Sequence, residues 1–194
     1  MKKLEELSAV AHRIVDVAEH LIQQKGYNGF SYDDIAQQVG LKKPSIHHHF
    51  PTKANLVTMV VERYTFRFAQ LLKEIEEKNV LAIKKLDAYI ELFSNTFATN
   101  RRLCVCGMLG AESDVLPPEI QEAVAKFFEL NRVWLTHVFA QGMKNKEFRM
   151  ELNANEQALY LLSALEGAMI VGRGFASNTT LKEVALAAMR LIAN

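Results

Sequence analysis

Between Leu41 and Lys53 the chain carries three lysines (Lys42, Lys43, Lys53), three consecutive histidines (His47, His48, His49) and no acidic residue. Side chains of this kind supply positive charge and hydrogen-bond donors, the chemistry that suits the phosphate backbone of a nucleic acid. A few clustered lysines more often mark a solvated charge run, but here the cluster falls on a particular helical spacing. Three histidines also suggest a metal site. Successive positions on a helix point about 100° apart, so the three imidazoles cannot converge on one ion. No metal and no other cofactor is expected.

These side chains need elements to position them. Residues 30–53, FSYDDIAQQVGLKKPSIHHHFPTK, read as two short helices joined by a glycine turn, a helix-turn-helix. Ser31 can cap the first helix near Asp34, and Asp33 with Asp34 places negative charge where the helix dipole favours it. Ile35, Ala36 and Val39 form its apolar face, and Gly40 supplies the left-handed residue that ends it. Leu41 can plug the angle between the helices. Pro44 suits the first turn of the second helix, which Ser45 to His49 complete in barely two turns, short enough to enter a groove end-on.

Residues 41–53, the preceding GYNGFS turn (26–31) and the Asp34-Ile35-Ala36 stretch resemble the recognition-helix region of the TetR family of bacterial transcriptional repressors. Beyond them the likeness is one of length and helical character. The resemblance implies that Lys43, Pro44 and Ser45, beside Lys42, lie at the groove and approach bases, with Tyr32 near a phosphate or a base edge. His47 stands where the family usually has a tyrosine touching the DNA backbone, and His49 and Lys53 correspond to further backbone contacts. An imidazole is shorter than a phenol and titrates near neutrality, which alters both the reach and the pH dependence of that contact. The implied partners are a double-stranded DNA operator, a second copy of the chain and a small-molecule inducer.

Composition agrees with an all-α protein. The chain has 194 residues, 49% of them hydrophobic, with 4 prolines and 9 glycines, enough to bury a core in helical domains. Residues 1–53 are expected to form a three-helix DNA-binding domain, and residues 54–194 a helical ligand-binding and dimerisation domain. The first part carries 7 Lys and Arg against 6 Asp and Glu, the second 16 against 16, so positive charge is a local patch. Specificity must then come from a few contacts placed twice, by a dimer whose half-sites lie about 34 Å apart or a multiple of it.

Helical periodicity marks a first helix from Leu7 to Ile22 that stops at Gly26, and a longer one over 54–78 that links the DNA module to the rest. Further helices are expected over 81–98, from Cys104 to Ala111, from Pro117-Pro118 to about Lys144, and over 153–175 and 181–192. The penultimate helix carries Leu159, Leu162, Ser163, Gly167, Ile170 and Val171, small and apolar residues that allow another helix to approach closely. The resemblance implies a dimer interface there; an intramolecular helix contact is the alternative.

Phe93, Phe97, Met108, Phe127, Trp134, His137 and Tyr160 can line an apolar pocket with a few polar groups, or simply fill a core. Cys104 follows Arg101 and Arg102 near a helix start, two influences that favour a reactive thiolate, and its surroundings resemble those of electrophile-sensing TetR repressors. A small buried cysteine is the competing reading. Cys104 and Cys106 point apart on a helix, so they are not expected to pair.

No nucleophile elbow, glycine-rich phosphate loop or His-Glu-x-x-His motif is present, so catalysis is not expected. No stretch reaches the roughly 18 apolar residues of a membrane span, and the chain is expected in the cytoplasm. The remaining competitor to a DNA-binding repressor is an all-helical adaptor that docks its basic helix on an acidic protein.

Overall fold

A computed structural model describes residues 7–149 and 151–192. Among the described residues there are nine α-helices and no strand. They fall into two compact units, one holding the chain up to Arg67 with Val105–Phe127, the other holding Phe68–Cys104 with Phe128 onward.

The first unit opens with α1 (Ala9–Lys25), whose N-cap Ser8 accepts the Ala11 N–H. Ala11, Ile14, Val15, Ala18, Leu21 and Ile22 bury one face of it. Its C-cap Gly26 has φ +73°, a left-handed value that costs glycine little. α2 (Tyr32–Val39) starts in a complete capping box: Ser31 accepts from the Asp34 N–H, and Asp34 accepts in return from the Ser31 N–H. Gly40, with φ +74°, lets the chain leave α2 left-handed, with the Gly40 and Leu41 amides both donating to the Ala36 carbonyl. α3 (Lys43–His49) follows with Pro44 in its first turn, as the missing proline N–H requires. α4 begins at Lys53 and runs to Lys78. Arg63, only 6% exposed, ties α4 back to Asp16 and Glu19 of α1. The short α6 (Val105–Ala111) packs on α1 and is followed by a 3-10 turn, Ser113–Val115.

In the second unit α5 (Ala82–Ala98) buries Leu86, Tyr89, Phe93 and Phe97. α7 (Pro118–Lys144) contributes its C-terminal part, and α8 (Ala154–Gly174) packs closely along α9 (Thr180–Arg190). α8 enters through a second capping box, Asn153 with Glu156. A Cβ at Gly172 would lie 2.9 Å from the Phe97 ring, so the missing side chain lets α8 approach α5. Helix starts and ends lie within a residue or two of the positions that capping residues and periodicity predict, the ordinary spread for frayed ends.

Candidate nucleic-acid interface

The second helix of the motif presents one buried side chain and an open basic face. Ile46 is fully buried, while Lys42, Lys43, Pro44, His47 and His48 are exposed and Ser45 and His49 half-exposed. Lys43 Nζ lies 2.8 Å from Asp33 Oδ2, but both side chains face solvent. Such a pair contributes little and can exchange for a phosphate or a base edge. His47 stacks edge-on against Tyr32, ring centroids 4.7 Å apart, with Nδ1 3.3 Å from the Pro51 carbonyl oxygen.

Two residues expected at the DNA are engaged inside the protein. Tyr32 is 6% exposed, and its hydroxyl donates to the Phe50 carbonyl at 2.8 Å, joining the start of α2 to the end of α3. Burial, with the neighbouring Tyr27 adding, pushes its phenol well above the usual range, so it stays neutral. Lys53 Nζ donates to the Phe30 carbonyl and lies over the Tyr27 and Phe30 rings. Burial lowers its pKa, and the carboxylates of Glu112 and Asp34 oppose that shift. Asp34 itself is held below the usual carboxylate range by its hydrogen bonds from Ser31.

A capped helix, a left-handed glycine turn and an exposed basic second helix define a helix-turn-helix DNA-binding protein. Comparison with known proteins agrees. The family described as "Bacterial regulatory proteins, tetR family" matches residues 14–60, and "Tetracyclin repressor-like, C-terminal domain" matches residues 82–188. A TetR-family regulator from Agrobacterium tumefaciens, known by crystal structure, is similar with a TM-score of 0.93 and 31% identity over 96% of this chain and 98% of its own. Transcriptional regulator AcuR of Cereibacter sphaeroides is 26% identical over 155 residues, 78% of this chain and 70% of its own length. IcaR of Staphylococcus aureus, a negative transcriptional regulator of a biofilm operon, is 24% identical over 136 residues, 64% of this chain and 72% of its own. The chain belongs to the TetR family and is a DNA-binding transcriptional regulator, not an enzyme. The adaptor reading is not favoured. No helix among the described residues is long and apolar enough to cross a membrane.

The residues expected around an effector are not gathered in one place. Trp134 and His137 line a cavity of about 500 Å³ between α4 and α7, with Ala69, Leu72, Leu130 and Val133 as its apolar wall and Lys73 and Glu76 beside them. Phe93 (4% exposed) and Phe97 (2%) are core residues of the second unit, Phe93 beside Phe68 and Tyr89, and Phe97 against Gly172. Tyr160 is 41% exposed on α8. Phe127 is fully buried beside Tyr64 in the first unit, where Met108 also lies. On α8, Leu159, Ser163, Ile170 and Val171 are exposed and Gly167 half-exposed, whereas Leu162 is buried by its own unit.

Several functional-looking groups escaped the sequence reading. Lys85, buried to 2%, donates to Glu76 and to Gln141, and the buried Tyr89 hydroxyl donates to Asn131 at 2.7 Å while its ring stacks on Trp134. A lysine inside the apolar stripe of α5 was the available signal. Glu166 was another, a carboxyl in the apolar middle of α8. Cys104 is 2% exposed, and its titratable neighbour is this Glu166 carboxyl. The Arg101 guanidinium instead donates to the Ala176 carbonyl oxygen. Burial first, and then Cys104, pushes the Glu166 carboxyl well above its usual range. Burial, with a carboxyl and not the Arg101 guanidinium beside it, supports the buried, structural reading of the cysteine.

Lys43→Ala should relax base preference in each half-site by about 1–3 kcal/mol without lowering thermal stability. Lys53→Ala should weaken all duplexes alike and also lower Tm, because its ammonium is an internal donor. Binding to a library of duplex variants, with a thermal melt of each protein, checks both; identical profiles for the two variants would contradict them. For Glu166, a raised folded pKa means that stability is fully present in acid and declines as pH rises toward that pKa. Glu166→Gln removes this titration, so its Tm should gain on the wild type progressively as pH rises above the usual carboxylate range. A constant difference would show that the carboxyl titrates normally.

Proposed function

We propose that the protein is a repressor that binds a palindromic operator in the cytoplasm as a homodimer and is released by a small neutral effector. The exposed basic face of α3 carries this reading, with Lys42, Lys43, Pro44, Ser45 and His47 toward the groove, His49 and Lys53 toward the backbone, and Tyr32 holding α3 in place. IcaR, a negative regulator, supports repression. The dimer is supported by α8, where Leu159, Ser163, Gly167, Ile170 and Val171, small or apolar residues, recur at helical spacing on a solvent-facing strip. Exposed apolar surface of this kind is what a second copy covers.

The cavity beside Trp134 suits an effector without net charge. Glu76 is neutralised by Lys85, and Lys73 lies 3.7 Å from Glu77. Trp134 Nε1 and Glu76 Oε2 are buried with no hydrogen-bond partner within the protein, so a ligand hydroxyl or carbonyl would gain by meeting them. Release then requires that the ligand bind a DNA-incompatible state better than the DNA-compatible one.

Nothing within 4 Å obstructs a side chain at Gly167, so Gly167→Arg should fold, yet bring an unpaired cation into a dimer contact. It should sediment as a monomer and lose selection of a palindrome from a random duplex pool; a dimeric variant with wild-type selection would place the interface elsewhere. Trp134 is the chain's only tryptophan, so its fluorescence reports the cavity directly. Neutral 1-naphthol should quench it and 1-naphthalenesulfonate should not, and Ala69→Phe, which fills the wall, should abolish the response. Equal quenching in the filled variant would exclude this cavity.

A further inference from the structure

Glu112 directly follows α6, and its carboxylate reaches the turn between α1 and α2, where Oε2 accepts the backbone N–H of Tyr27 at 2.5 Å. The approach is close: a Cβ at Gly26 would lie 2.8 and 2.9 Å from the two carboxylate oxygens and would push the carboxylate away. Gly26 therefore answers two demands at once, the left-handed φ of +73° and the seat of the carboxylate. On the same turn Lys53, the first residue of α4, donates from Nζ to the Phe30 carbonyl at 2.5 Å, with Nζ 4.7 Å from the Tyr27 ring centroid and 4.0 Å from that of Phe30. Glu112 is the larger of the two negative charges that offset the burial of that ammonium. Residues 26–31 are thus held between an anion at the end of α6 and a cation at the start of α4.

That turn sets the DNA-reading motif. Ser31 at its end caps α2, and Tyr32 next to it bonds to Phe50 at the end of α3. We infer that Glu112 is a positioning residue for operator recognition: its side-chain oxygen, accepting the Tyr27 N–H, seats the 26–31 turn and so couples α6 to the orientation of α3. The inference rests on α3 being the DNA-reading helix. It makes affinity depend on a residue that touches no DNA, and it gives any displacement of α6 a direct route to the motif, because withdrawing Glu112 leaves the Tyr27 amide unpaired and the Lys53 ammonium less compensated.

Three variants in the full-length protein test this, with Lys43→Ala as control. Glu112→Ala removes acceptor and charge, Glu112→Gln keeps an acceptor of the same length, and Glu112→Asp keeps the charge but withdraws it by one methylene. For protein that is folded by circular dichroism and unchanged in sedimentation, operator affinity should fall about ten-fold for Ala and for Asp and recover to within about three-fold of wild type for Gln. Operator binding should slow hydrogen exchange of the Tyr27 amide in the wild type and Gln variant but not in Ala or Asp. If Ala does not fold, the contrast between Gln and Asp decides. Wild-type affinity in Asp, or a Gln variant no better than Asp, would overturn the inference, since a merely stabilising contact lowers Tm without moving the affinity of folded protein. If Lys43→Ala also leaves operator affinity unchanged, the fault lies with the α3 reading; if Lys43→Ala weakens binding and the Glu112 variants do not, Glu112 alone is wrong.

Discussion

A helix of seven residues cannot hold itself in water, because nucleation costs more than so few hydrogen bonds return. Everything that α3 offers to DNA therefore depends on how its inner side is anchored. Ile46 is the only wholly buried residue on it, Phe50 closes its end at 3% exposure, and the Tyr32 hydroxyl fastens the Phe50 carbonyl from below. With these contacts made, the remaining side chains of α3 have nowhere to go but outward. The basic face is a consequence of the burial beneath it.

The same dependence governs the charge balance. The first 53 residues have a net charge of only +1, too little for a binding mode based on bulk attraction. What the fold does is separate the signs. Asp34 is spent on the capping box, Glu19 on Arg63 and Arg67, and Glu112 on the turn below the motif, while Lys42, Lys43, His47 and His48 remain exposed together. A local field arises in an almost neutral chain because these acidic groups have structural partners, Asp33 beside Lys43 being the exception.

In the second unit, polar groups stand inside an apolar helical packing and shape it. Lys85 with Glu76 and Gln141, and Tyr89 with Asn131, satisfy one another across α4, α5 and α7, which restricts how those helices can slide. The cavity at Trp134 lies beside both pairs, so its walls are held by hydrogen bonds as well as by packing. Glu166 and Cys104 form a different kind of environment, where burial first and the cysteine second favour the protonated carboxyl.

The sequence by itself determined the helices, the motif and its chemistry. Capping residues, left-handed glycines and 3.6-residue periodicity act over a few neighbours, so Ser31, Asp34, Gly40, Pro44 and the basic run could be read where they stand. Membership of the TetR family was legible for the same reason, since its strongest signature is that local stretch. Tertiary structure alone decided which side chains turn inward and which distant residues meet. That the Tyr32 hydroxyl donates to the Phe50 carbonyl, that the Lys53 ammonium donates to that of Phe30, and that Phe93 and Phe97 are enclosed by packing are facts of the fold which residue type alone does not encode. The contact of Glu112 with Tyr27 joins residues 85 apart, and that of Lys85 with Gln141 joins residues 56 apart. No local propensity encodes such pairs; they exist because burying the apolar faces of several helices at once leaves these polar groups one arrangement in which they are satisfied.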